Sequence, residues 1–153
     1  MSTSEQVRLP QPGANVTVTR VQIRSTDVDA MGHVNNAVYF EYLEQARIDH
    51  LRRLLVLPPP EGRRPYAGVM VVAEARCRYR APLYYGDDLY IETWTAEVRR
   101  RGFRLAYRLY TAAEPQRTAA EAETVQVWID ADGRAAAIPD SVRQTLEASI
   151  PPA

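Results

Sequence analysis

The chain has 153 residues, 46% of them hydrophobic and 25% charged, with a formal net charge of +0. That length suits one domain with a buried core, and the charge balance excludes a broad electrostatic grip on nucleic acid or on an anionic membrane. A single cysteine, Cys77, excludes an intramolecular disulfide, and all 19 basic residues are arginine, so neither a lysine Schiff base nor a lysine general base is available.

Met1 to Asn15 carry two prolines and little apolar content and read as a flexible tail. Neither this stretch nor any later run resembles a signal peptide or reaches the ~18 apolar residues of a membrane span, so the cytoplasm is the expected location. Val16 to Arg24 is β-branched and suits a strand. A polar stretch follows, Asp27 to Asn36 (DVDAMGHVNN). From Asn36 to Leu55 apolar residues recur at helical spacing, Tyr39, Leu43 and Ala46, then Phe40, Leu51 and Leu54, with Asn35 or Asn36 as the N-cap and Pro58, Pro59 and Pro60 as the stop. Pro58 to Pro65 reads as a mobile surface loop.

The second half alternates with period 2. Val69 to Arg80 forms one strand, Ala81 to Asp88 a turn, and Leu89 to Arg99 the next strand. Arg101-Gly102 is a hairpin tip, Phe103 to Tyr110 alternate again, Glu114-Pro115-Gln116 turn, and Glu121 to Ile129 form the last strand. Asp132-Gly133 ends it, and Pro139-Asp140 starts a short helix. Successive strands on short turns are antiparallel. The long helix must bury its stripe, and the concave face of the sheet is the natural cover. The expected fold is α+β: residues 16–150 form one domain, a long helix wrapped by an antiparallel sheet of about five strands.

No GxSxG elbow, phosphate loop or dinucleotide fingerprint is present. His33 and His50 lack metal-ligand spacing, so no metal is expected. Cys77, mid-strand among apolar neighbours, reads as a buried inert thiol. His50 falls near the apolar stripe and reads as a core histidine. Glu41 and Glu44 lie on the helix, with Glu44 placed to pair with Arg47 at i,i+3. Tyr84 and Tyr85 flank a turn and are expected to pack. What remains is Asp27, Asp29, His33, Asn35 and Asn36 at a helix start. Unpaired N–H groups there, at the positive end of the dipole, can hold an oxyanion. A carboxylate beside them can serve as base or nucleophile. Asp and Asn before a helix are also common caps and turn formers, and the residue types alone leave both readings open.

The stretch Asp27-Val28-Asp29-Ala30-Met31-Gly32-His33-Val34-Asn35-Asn36, with Tyr39, Tyr42, Leu43, Glu44 and Arg47, resembles the signature of hotdog-fold thioesterases of the 4-hydroxybenzoyl-CoA thioesterase and acyl-CoA thioesterase type. Tyr79-Arg80-Ala81-Pro82-Leu83 and Gly86-Asp87 resemble that family's later strand-turn motif, and the likeness spans Val16 to Ile150. It implies a hotdog fold and hydrolysis of an acyl-CoA to the free acid and CoA. Asp29 matches the catalytic carboxylate, as base or nucleophile, and the Asn36 amide, with that of Asn35, matches the oxyanion donor. The HVNN segment is similar to plant acyl-carrier-protein thioesterases, which places His33 among the catalytic candidates. Met31 stands where that group has asparagine, so its Asn–His arrangement is incomplete here. Asn35 and Tyr39 are expected beside the substrate. CoA phosphates require arginines in a chain without lysine, and Arg99 and Arg101, in the run Arg99-Arg100-Arg101, are the first choice, with Arg63 and Arg64 second. The alternatives are an acyl-carrier-protein thioesterase and a non-catalytic acyl-CoA binding module, the latter disfavoured by an intact Asp29. No cofactor is implied. A homodimer or homotetramer with a shared site is expected, because Leu89–Arg99 and Val69–Tyr79 look too long and apolar to remain open edges.

Overall fold

The computed structural model describes residues 15–57 and 69–152. The expected tail (apart from Asn15) and the loop Pro58 to Pro65, with Arg63 and Arg64, lie outside the described residues. The period-2 segments become strands β1 (Thr17–Gln22), β2 (Met70–Tyr79), β3 (Asp88–Val98), β4 (Gly102–Thr111) and β5 (Ala120–Trp128). The helical stripe becomes α1 (Tyr39–Arg53), preceded by a 3₁₀ turn at Asn36–Val38, and the chain closes with α2 (Asp140–Ala148). The five strands form one antiparallel sheet in the order β1-β3-β4-β5-β2.

The core lies between α1 and the inner face of this sheet. α1 buries Tyr39, Tyr42, Leu43, Ala46, His50 and Leu51. Facing them are Leu89 and Ile91 of β3 and Phe103, Leu105, Tyr107 and Leu109 of β4. This is the helix-in-sheet α+β arrangement expected from the residue pattern. His50 is fully buried, as a core histidine should be, with Nδ1 2.7 Å from Thr17 Oγ1 and Nε2 3.1 Å from Thr95 Oγ1. No helix among the described residues is long and apolar enough to cross a membrane.

Tertiary structure overrides local expectation in several places. The turn after β2 does not make a hairpin with β3. The N–H groups of Arg80 and Ala81 both donate to the Ala119 carbonyl, which keeps the chain on β5, and the segment then crosses to the other side of the sheet before β3 begins. In consequence Leu89–Arg99 is no edge: β3 lies between β1 and β4, and only β2 of the two suspected strands is exposed at a border. Phe40, expected in the buried stripe, is 39% exposed, because α1 lies mainly over β1 and β3 and position 40 turns away from them. The Glu44–Arg47 ion pair does not form. Arg47 instead lies near enough to the buried Tyr107 hydroxyl to act on it electrostatically, and the helix carboxylate that forms an ion pair is Glu41, on Arg24 at 3.1 Å. Cys77 is half-buried rather than buried. Its thiol is still pushed up to about 11 by burial, which suits an inert group. Tyr84 and Tyr85 do not pack; both are exposed, on a turn held by Tyr84 N–H to Asp87 Oδ2 (2.8 Å) and by Gly86 at φ 95°.

Candidate active site

The polar stretch before α1 folds into two pieces with different tasks. Asp27 is buried and structural. Its carboxylate accepts from the Arg24 N–H (2.9 Å), from the Arg24 guanidinium (2.8 and 3.1 Å) and from the Tyr42 hydroxyl (2.7 Å). Burial works to raise this carboxyl, but the hydrogen bonds from Arg24 and Tyr42 outweigh it and hold the group below its ordinary value.

Asp29 opens a tight loop. Val28 bridges Val34, the Asp29 N–H donates to the His33 carbonyl (3.0 Å), and the Gly32 N–H donates to the Asp29 carbonyl (3.0 Å) with Gly32 at φ 88°. A positive φ there requires glycine. The Asp29 side chain is half-buried. Oδ1 accepts from the Met31 N–H at 2.8 Å, and Oδ2 has no hydrogen-bond partner among the described residues. One oxygen thus fixes the orientation and the other is free to meet a water or a carbonyl carbon.

At the helix start the N–H groups are nearly all taken. The Asn35 N–H donates to the Asp27 carbonyl (2.9 Å), which removes it from the expected oxyanion pair. The Asn35 side chain caps the turn by accepting from the Ala37 N–H (2.9 Å), as an N-cap asparagine does, and the Val38 N–H returns to the Asn35 carbonyl (2.9 Å). The Asn36 N–H precedes the first intrahelical bond, and none of the described residues accepts it. Of the donors from Asn35 to Val38 it alone is left open.

Asn36 also lines a hollow of about 250 Å³ with His33, Tyr39, Tyr79, Arg80, Ala81 and Pro82. Tyr39 forms an inner wall; its phenol is pushed up to about 12 by burial. His33 is half-buried, with Nδ1 3.4 Å from the Val34 carbonyl. The crossing segment after β2 is tied to the loop by Val34 N–H to the Leu83 carbonyl (2.7 Å), so both walls of the hollow are braced. Asp29 is not among the residues lining the hollow; the hydrogen-bonded ladder of Val28–Val34 and Asp27–Asn35 connects it to the wall. Among the described residues no group of three or more His, Cys, Asp or Glu side chains is placed to hold a metal.

Arg99 and Arg101 are not brought to this site within one chain. The hollow adjoins Tyr79, which pairs with Ala120, which pairs with Leu109; the arginine tip adjoins Gly102, at the other end of β4. Seven steps of β4 separate Gly102 from Leu109, roughly 23 Å at ~3.3 Å per residue. The guanidinium at the hollow is that of Arg80, which spacing did not single out; it also pairs with Glu121 at 3.4 Å. Tyr79 was missed as well, because nothing in a strand's alternation says that its last side chain will reach a helix start.

The sequence model of the thioesterase-like superfamily matches residues 23–146. A Thermus thermophilus thioesterase, solved with coenzyme A and zinc, is 31% identical; the alignment covers 86% of this chain and 92% of that one, with a TM-score of 0.72. A chloroplast acyl-acyl carrier protein thioesterase of Arabidopsis thaliana is 24% identical over 123 residues, 80% of this chain and 63% of that protein. A mutant 4-hydroxybenzoyl-CoA thioesterase, solved with 4-hydroxybenzoyl-CoA, shares the fold at 20% identity and a TM-score of 0.72, covering 87% of this chain and 99% of that one.

Proposed function

The chain belongs to the thioesterase-like superfamily and is a thioester hydrolase of hotdog fold; from that premise we propose that it hydrolyses acyl-CoA, with Asp29 and the Asn36 N–H as the reacting machinery. One observation carries the reading: the donor left open at the helix start belongs to a residue lining the hollow. The thioester carbonyl oxygen accepts from the Asn36 N–H, and the positive end of α1 adds to that stabilisation. Asp29, oriented through Oδ1, takes a proton from water as the water oxygen bonds to the thioester carbon. The tetrahedral oxyanion collapses, the C–S bond breaks, and the proton held by Asp29 passes to the departing thiolate. In the alternative course Asp29 Oδ2 attacks the carbon itself, the C–S bond breaks and the CoA thiolate leaves to take a proton from solvent, giving an anhydride that water then cleaves to the free acid and the restored carboxylate.

The working unit in this reading is a pair of chains. β2 is ten residues long, its outer edge has no partner among the described residues, and Val71 and Val72 are 48% and 43% exposed. Such an edge pairs readily with another strand. Antiparallel pairing of β2 with its own copy sets the two sheets in opposite directions. Arg99 and Arg101 of the partner subunit then stand at the hollow's end of the sheet, about two strand spacings, ~10 Å, beyond the partner's β2. CoA phosphates would meet Arg80 and the partner's Arg101 there, which reconciles the arginine run with a site at the far end of its own sheet.

The test is a hydrolysis panel of acetyl-, octanoyl-, palmitoyl- and benzoyl-CoA, together with octanoyl-acyl carrier protein, followed by thiol release. Turnover of at least one CoA ester that collapses in Asp29→Asn supports the reading. Turnover confined to the carrier-protein thioester would move the substrate to that carrier.

A further inference from the structure

The hollow contains a group the proposed reaction does not use. Tyr79 ends β2, and its hydroxyl donates to the backbone carbonyl of Asn36 at 2.7 Å, across 43 residues of sequence. Its ring stands edge-on to Tyr39, centroids 4.8 Å apart at 88°, so the hydroxyl is aimed by packing. Tyr39 is itself almost fully buried on the first turn of α1, which makes it a firm backstop for the ring.

We propose that Tyr79 is a positioning residue for the oxyanion donor, acting through the Asn36 peptide; this rests on the assignment of the Asn36 N–H made above. Asn36 begins a 3₁₀ turn of three residues, and α1 has no side-chain cap of its own at Val38. So short a turn is weakly held by its own hydrogen bonds, whose 3₁₀ geometry is poorer than that of an α-helix. The Asn35 side chain secures the turn one peptide further on, at Ala37, and the Asn35 N–H is anchored on Asp27. The Asn36 carbonyl is fixed from the opposite wall by Tyr79. The Asn36–Ala37 peptide is thus held at both ends, its N–H by Asn35 Oδ1 and its carbonyl by Tyr79, while the peptide that carries the Asn36 N–H is held at the Asn35 carbonyl by the Val38 N–H; between them the Asn36 N–H keeps one direction into the hollow. An oxyanion donor is effective only when it is aimed before the charge develops. A phenol on the carbonyl side supplies that aim without touching substrate.

The readout is a cycle of Tyr79→Phe and Asn36→Pro, using octanoyl-CoA and benzoyl-CoA as probes. Phenylalanine keeps the ring on Tyr39 and removes only the hydroxyl; proline at position 36 removes the N–H together with the exposed side-chain amide. Tyr79→Phe is expected to lower kcat about tenfold with KM within about twofold, the pattern of an interaction felt mainly in the transition state. In the Asn36→Pro background the same change is expected to cost less than about twofold in kcat, because the donor being aimed is gone. Multiplying losses, or an unchanged kcat in Tyr79→Phe alone, overturn the inference. So does a rise in KM that accounts for the whole loss in kcat/KM. Should Asn36→Pro turn over like wild type, the oxyanion assignment fails first and independently of Tyr79. If Asn36→Pro does not fold, the kcat-against-KM split of Tyr79→Phe decides alone, since that variant leaves the packed ring in place.

Discussion

Asn36→Pro removes the N–H proposed as the oxyanion donor, along with an exposed side-chain amide. Proline is tolerated at the first position of a helical turn, where the N–H has no intrahelical acceptor. It also restricts the residue before it to extended backbone, and Asn35 is already there, at φ −59° and ψ 132°. The Asn36 side chain is exposed and makes no hydrogen bond among the described residues, while its carbonyl, which receives the Tyr79 hydroxyl, survives the change. Folding stability should therefore shift by no more than ~0.5 kcal/mol. The loss in turnover is that of an oxyanion donor, about 10²–10³ in kcat, equivalent to ~2.7–4 kcal/mol of transition-state stabilisation. Initial rates of thiol release across a substrate range give kcat and KM, and a thermal melt of the same sample reads stability. A variant that melts with wild type and retains kcat within about threefold refutes the assignment of the oxyanion to this N–H.

The two aspartates should separate cleanly: Asp29→Asn keeps an oxygen for the Met31 N–H, so kcat should fall roughly a hundredfold or more with the melt unchanged, whereas Asp27→Asn should cost about 1–3 kcal/mol of stability with a smaller effect on kcat. Equal effects on both readouts would erase that division. His50 predicts an acid-sensitive core: burial first, and the nearby Arg53 second, push it down to about 4, below the ~6.5 of an unfolded chain. The unfolded state then binds the extra proton, so the contribution is whole above pH ~6.5 and is lost as pH falls toward 4, about 3 kcal/mol in all; melts of wild type and His50→Gln between pH 7 and pH 4.5 should converge as acid is added, and parallel curves would contradict this. Light scattering at micromolar concentration should give the mass of two or four chains, and a fully active monomer would remove the shared site. Arg99→Ala with Arg101→Ala should raise KM several-fold for acyl-CoA at nearly constant kcat and leave a thioester truncated at the pantetheine unaffected; the same change for both substrates would separate these arginines from the nucleotide.

Much of this protein is written locally and could be read without coordinates. Alternation in Phe103 to Tyr110 specifies a strand with one face inward, because side chains on a pleated backbone point to opposite sides. The stripe Tyr39, Leu43, Ala46 specifies a helix that must be covered, and the ten residues from Asp27 to Asn36 carry the resemblance that names the chemistry. Strand order was not local: a short connection after Tyr79 suggests a hairpin, and only the bonds of Arg80 and Ala81 to Ala119 hold β2 on β5 and send the chain across the sheet. The same applies to charge: helical spacing brings Glu44 and Arg47 within reach of one another, but the helix carboxylate that forms an ion pair is Glu41, with Arg24 from before the helix. The site itself divides along this line. Residue types at a helix start identify which groups can react. Which N–H is open depends on where every neighbouring donor goes, and those acceptors come from Asp27 and from the Asn35 side chain, while Tyr79 arrives from another strand. A backbone hydrogen bond to a distant partner leaves no trace in the side chains that flank it, so which helix-start N–H stays open, the one proposed above as the oxyanion donor, could be read only once the chain was folded.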